Sequence, residues 1–167
     1  MVVDYMTELL TVQSILQALM PAALSLFVGV WSDKHGRKPM IVWPMLGLFV
    51  SNALAVIYSL IDTLNPWAFI WTVLPFSLSG GYVVFFTGAL CYVSDISSTE
   101  TRGIRLMIVQ LSFTLPNALG SMASPFILKA FGNISYQLLL ATALNAIAYA
   151  YTAIFLPESL KQLLRAP

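Results

Sequence analysis

The sequence predicts an all-α, polytopic membrane protein, and three observations carry that expectation. Of its 167 residues, 59% are hydrophobic and only 9% are charged, where soluble domains carry about a quarter charged residues. Mean hydropathy is +0.84. The apolar residues also gather into runs of about 20 or more, the length a helix needs to cross roughly 30 Å of hydrocarbon. Backbone polar groups in lipid pair within their own segment, so runs of this length read as helices rather than strands.

Five spans follow in chain order, at about 9–31, 40–61, 67–93, 105–128 and 136–155, within a single partial domain over 1–167. The first carries Gln13 and Gln17, four apart and so on one face, with Pro21 as an expected kink. Its start, "MVVDYMTE", is acidic where a cleavable signal peptide is basic, so this run is expected to be retained. The second opens at Pro39, whose missing N–H costs nothing in a first helical turn, and contains Asn52. The third reads as one helix holding Pro75 and the small cluster Ser77, Ser79, Gly80 and Gly81. The fourth holds Gln110, Pro116, Asn117, Gly120 and Ser124, and the fifth holds Asn145. Hydrophobic drive between helices already in lipid is weak, so small residues that admit close backbone approach supply packing. Gly80 with Gly81, and Gly120 with Ser124, are the expected points of approach.

Basic residues orient the spans. Alternating the loops puts Lys34, Arg37, Lys38, Arg102, Arg105, Lys161 and Arg165 on one side and only Lys129 on the other. The expected topology therefore has the first loop, the third loop and the C-terminus in the cytoplasm and the N-terminus outside. "SSTE" at Ser97 to Glu100 has the form of a capping box, which predicts a helix starting there and feeding the fourth span. "NIS" at Asn133 to Ser135 is a glycosylation sequon by letter, set in a very short turn.

Several function classes lose support. Net charge of +1 gives no whole-chain attraction to nucleic acid, and the basic run is too tightly bracketed by spans to accommodate a duplex. One cysteine, Cys91, excludes an intramolecular disulfide and a Cys-based zinc site. Ser32, Asp33 and His35 are triad residue types but nearly adjacent, whereas a triad converges from separate elements. No catalytic residue, metal or cofactor is expected, which leaves a membrane enzyme the least supported class. No ionisable side chain falls mid-span, so no proton relay or ion path is marked there. Uncharged amides remain. Gln13, Gln17, Asn52, Gln110 and Asn117 must face other helices or a cavity to avoid the cost of unpaired burial, and they are the candidates for lining one or touching solute.

The charges concentrate in "GVWSDKHGRKPM", Gly29 to Met40. Gly29, Asp33, Lys34, Gly36, Arg37 and Lys38 there resemble the signature loop between the second and third helices of the major facilitator superfamily. "YVSDISSTETRG", Tyr92 to Gly103, resembles that family's turn between helices four and five, and "LPESL", Leu156 to Leu160, resembles the end of helix six. The five spans then correspond to family helices two to six, most of an N-terminal half, with helix one and the C-terminal half expected elsewhere or on another transporter chain. Within the superfamily, "WSDKHGRKP", "SLSGGY" and "YVSDISSTETRGIRL" are most similar to the proton-coupled folate transporter-like group, solute carrier family 46. Sugar porters share the "RG" turn and "PES" ending and stand as the alternative.

The resemblance implies a transporter of a small organic solute, folate-like or another organic anion, working by alternating access in the plasma membrane. It implies that Gly29 lets its helix approach one in the other half. Asp33 would hold the cytoplasmic side together, and Arg37 would bond to Asp95 as a conformational latch that includes Lys34, Gly36, Lys38 and Arg102. Proton-coupled members place a titratable residue in helix five, where this chain has Gln110, which weakens proton coupling through this half. A non-transporting interaction protein that pairs with a full-length relative is the reading from a different class.

Overall fold

The computed structural model describes residues 2–61 and 65–157, apart from the side chains of residues 2–6, Asp33 and His35. Six α-helices follow in order: α1 Val2–His35, α2 Lys38–Leu60, α3 Phe69–Leu78, α4 Gly81–Asp95, α5 Arg102–Phe131 and α6 Ile134–Phe155, with a 3₁₀ turn at Pro66–Ala68 ahead of α3. No strand occurs among the described residues. Five stretches are long and apolar enough to cross a membrane: Thr7–Ser32, Lys38–Leu60, Pro66–Asp95, Arg102–Phe131 and Ile134–Phe155. The chain is an integral, multi-pass membrane protein.

The charged loop is shorter than its sequence suggests. Helix α1 continues past Trp31 through Asp33 and Lys34, leaving only Gly36 and Arg37 outside helix. Gly36 has φ 104° and its N–H donates to the Ser32 carbonyl at 2.8 Å, a left-handed glycine cap that closes α1. Pro39 then sits in the first turn of α2. The α5–α6 turn uses the same device at Gly132, φ 68°, followed by Asn133, whose side chain caps α6 by accepting from the Ser135 N–H at 3.0 Å. Helix α1 runs unbroken through Pro21.

Two expectations are corrected here. The third span is not one helix: Ser79 and Gly80 interrupt it, and Gly80 and Gly81 take φ of 95° and 54°. The capping box does not form. Helix α5 starts at Arg102 after Thr101, which makes no side-chain cap; the Ser97 hydroxyl donates back to the Val93 carbonyl, and Ser98 pairs with Thr101 at 2.9 Å. The Ser97 hydroxyl is turned to its own preceding turn and lies away from the start of α5.

Helix α2 is central. It packs against α3, α4 and α6, while α1 lies mainly on α3 and α4, and α5 packs on α4 and α6. Met40, Ile41, Pro44, Gly47, Ser51 and Val56 of α2 are buried, and α5 buries no residue at all. Two glycines make the tight approaches. A Cβ at Gly47 would lie 2.9 Å from the Pro75 carbonyl oxygen and collide with the Ser79 side chain, and one at Gly88 would lie 2.8 Å from Met40 Cβ. Gly81 faces the buried Pro21, whose Cγ is 3.0 Å from such a Cβ. The expected approach at Gly120 is absent, with nothing within 4 Å, because that face of α5 is turned away from the other helices. Ser124 instead accepts a hydrogen bond from Gln137 Nε2 at 3.0 Å, tying α5 to α6.

Candidate functional site

The short Gly36 turn decides where Arg37 points. With α1 capped and α2 starting at once, the guanidinium reaches across to the last residue of α4, and Arg37 Nε donates to Asp95 Oδ2 at 3.2 Å. The two side chains retain only 19% and 23% exposure. Arg37 Nη1 donates to Ser32 Oγ at 2.7 Å, and the Ser32 hydroxyl donates to the Gly29 carbonyl at 3.0 Å. Ser32 is wholly buried. Charge-assisted bonds of this kind are among the stronger ones in proteins, and half-burial limits screening by salt.

Two further contacts gather helix ends onto the same face. Lys38 Nζ donates to the Ala153 carbonyl in the last turn of α6 at 2.7 Å, a cation at the negative end of a helix dipole. The Tyr92 hydroxyl donates to the Pro157 carbonyl at 3.0 Å. The start of α2 and the end of α4 are thus both tied to the end of α6.

The remaining loop residues fall differently. Lys34 is exposed on the last turn of α1, and Arg102 is exposed at the start of α5, while Arg105 reaches back to the Ile96 carbonyl at 3.3 Å. The side chain of Asp33 lies outside the described residues. Among the described residues nothing outside its own helix lies within 4 Å of a Cβ built on Gly29. Ser32, Lys38 and Tyr92 make contacts that no sequence pattern singled out for them, since each is defined by a partner more than one element away or by a turn geometry that letters do not display.

The amides separate into two spaces. Gln110 and Asn117 line a broad open groove of about 1280 Å³ between α4 and α5. Phe113 projects from α5 toward Phe86 and Phe85 of α4, with ring centroids 4.9 and 5.3 Å away. Gln17 and Asn52 line a smaller chamber of about 250 Å³ with Ser51, Thr72, Phe76 and Leu138. Tyr82 lines both spaces; its ring meets Phe76 edge-on at 4.7 Å. Gln13 lines neither of them, and Asn145 Oδ1 is buried without a hydrogen-bond partner. No cluster of three or more His, Cys, Asp or Glu suited to a metal occurs among the described residues.

The sequence matches the Major Facilitator Superfamily over residues 6–166. The chain belongs to that superfamily. It is 27% identical over 166 residues to a probable peptidoglycan muropeptide transporter SLC46 of Drosophila melanogaster, covering 93% of this chain and 31% of the relative. It is 29% identical over 133 residues to the MFS-type transporter avaJ of Aspergillus versicolor, covering 78% of this chain and 26% of the relative. With the proton-coupled folate transporter of Bos taurus it shares 25% identity over 138 residues, 83% of this chain and 30% of the relative. The chain therefore spans about a third of the length of the curated relatives it matches. No solved structure matches it. Solute carrier family 46 is the part of the superfamily to which most of these relatives point, and the superfamily's chemistry is carriage across a membrane, not catalysis.

Proposed function

We propose that this chain forms part of a membrane carrier for a small organic solute that works by alternating access, with Arg37 and Asp95 as its cytoplasmic latch. The observation that carries the reading is their contact, which joins residues 58 apart in sequence at a half-buried boundary between helix ends. A pair of this kind exists in one arrangement of the helices and breaks in another, which is the requirement for a two-state gate.

The basic cluster favours a cytoplasmic location for the latch and an outside N-terminus, with the plasma membrane as the expected site. Carriers of this class bind solute near the midplane between two bundles. The groove between α4 and α5 suits one wall of such a cavity, and Gly29 suits contact with a helix of the second bundle. The names of the relatives nominate a folate or a muropeptide as first solutes to test. The groove lining contains no Asp, Glu, Lys, Arg or His, so coupling to protons calls for a titratable group outside it.

Reconstitution into proteoliposomes tests the reading. The chain is assayed with labelled folate and labelled muropeptide, alone and together with a second bundle taken from a full-length relative. Uptake is expected only with the second bundle and is expected to be lost in Asp95→Asn at unchanged protein level. Absence of uptake in every combination, with stable co-purification of the two bundles, would instead favour a non-transporting partner of a full-length carrier.

A further inference from the structure

Helix α1 touches α2 only sparsely, and along their seam runs a cleft of about 410 Å³. Its floor is core, since Met40, Pro44 and Val84 are all buried, and Gly88 holds Met40 from behind. Its rim is two exposed tryptophans, Trp31 of α1 and Trp43 of α2. Trp43 and Ser79 also line a second hollow of about 190 Å³, which carries the cleft on past Gly47 to Val50. Pro39 to Val50 is about 16 Å of helix, and the hydrocarbon of one leaflet is about 15 Å deep.

The lining offers little to a polar solute. Its one hydroxyl, that of Ser79, already donates to the Phe76 carbonyl at 2.7 Å, and Pro39, Pro44 and Pro75 have no N–H to offer. The two indole N–H groups stand at the rim, where tryptophan suits the membrane interface. An apolar hollow of this kind stays dry, so hydrocarbon fits it. A further helix does not, because a cylinder about 10 Å across needs about 1,300 Å³ over the same length.

Charge selects among hydrocarbon chains by their headgroups. Val28, Trp31 and Lys34 follow at three-residue spacing on α1 and so share a face; the first two line the cleft, and Lys34 is exposed at its basic end. The neighbouring cations are committed elsewhere, Arg37 to Asp95 and Lys38 to the Ala153 carbonyl. A lysine above an apolar seam between spans complements an anionic lipid headgroup.

We propose that this cleft holds one acyl chain of an anionic phospholipid, with the headgroup at Lys34 and the chain running between Trp31 and Trp43 toward Val50. The site shares no lining residue with the groove between α4 and α5 and does not depend on solute carriage.

Tryptophan quenching by lipids with brominated acyl chains tests this in the reconstituted chain. The chain has four tryptophans: Trp67→Phe with Trp71→Phe leaves the cleft pair as reporters, and Trp31→Phe with Trp43→Phe leaves the far pair as control. In phosphatidylcholine vesicles, brominated phosphatidylserine is expected to half-quench the cleft pair at a mole fraction about fivefold lower than brominated phosphatidylcholine, the worth of one lysine at an anionic surface. The far pair should show no such preference. Lys34→Gln is expected to remove the preference and Lys34→Arg to keep it. Arg102→Gln, which removes another exposed cation on a helix that lines no part of the cleft, should leave it unchanged. Val28→Phe, which fills the cleft, should lower quenching of the cleft pair by both lipids. Equal quenching by the two lipids, a preference that survives Lys34→Gln or is lost in Arg102→Gln, or undiminished quenching in Val28→Phe overturns the site. Stronger quenching by a brominated sterol also overturns it, as does loss of quenching when a second bundle from a full-length relative is added, which would make the cleft a helix contact.

Discussion

Helices α2 and α5 are both apolar enough to cross a membrane, yet they do opposite things. Helix α2 is wrapped on three sides and buries Met40, Ile41, Pro44, Gly47, Ser51 and Val56; α5, at 30 residues, buries none. Its outward residues include Met107, Ile108, Leu111, Met122 and Phe126. Hydropathy thus identifies a span without saying what surrounds it, because a leucine against lipid and a leucine against another helix have nearly the same transfer energy. What separates the two helices is where they carry residues small enough for backbone contact and hydroxyls aimed at a neighbour.

Paired glycines give the sharpest test of that contrast. Gly47→Leu places a side chain against the Pro75 carbonyl and Ser79 and is expected to destabilise the chain by about 3 kcal/mol. Gly120→Leu, in open space, should stay within about 0.5 kcal/mol of the parent. Thermal melting in one detergent compares them, and equal losses would show that α5 is packed as α2 is.

Next in size is the ion pair at the edge of the packed region. Losing a half-buried charge-assisted bond costs about 1.5–3 kcal/mol, so Asp95→Asn should shift the closed-to-open ratio of the proposed latch about 10- to 100-fold. Uptake rate at matched protein level reads this out, and the reversed pair, Arg37→Asp with Asp95→Arg, should recover part of it.

A smaller effect is expected from the hydroxyl that supports the break. Ser51→Ala removes the acceptor of the Phe76 N–H and should cost about 0.5–1.5 kcal/mol. Ser121→Ala on α5, whose hydroxyl donates only to its own helix at Ala118, should be close to neutral. Smallest of all in stability are Gln110→Ala and Asn117→Ala, each expected within about 0.5 kcal/mol. Their consequence should appear in uptake as a raised KM with an unchanged melting temperature, which would mark the exposed face of α5 as functional and not merely lipid-facing.

Much of the site was legible as residue types and little of it as geometry. Arg37 and Asp95 stood out because charge is rare in this chain and the surrounding letters resemble a known loop. Ser32, which receives the same guanidinium, did not stand out, because a serine at a helix end has many local partners. Gln17 and Asn52 shared a list with Gln110 and Asn117, although they line a different space, since amide content says nothing of which helices a side chain lies between. The break at Ser79 and Gly80 was visible as a small-residue cluster but read as a packing surface.

By itself the sequence determined the five spans and the gathering of charge at one loop. These are properties of single segments, set by hydrocarbon thickness and by the cost of charge in lipid. Only the tertiary structure decided that Gly47 and Gly88, not Gly120, admit a neighbouring backbone, that Ser32 shares the Arg37 guanidinium with Asp95, and that the third span is two helices. Each depends on how one helix is rotated against another, and in a bilayer the hydrophobic pattern leaves that rotation almost free until close packing and hydrogen bonds fix it.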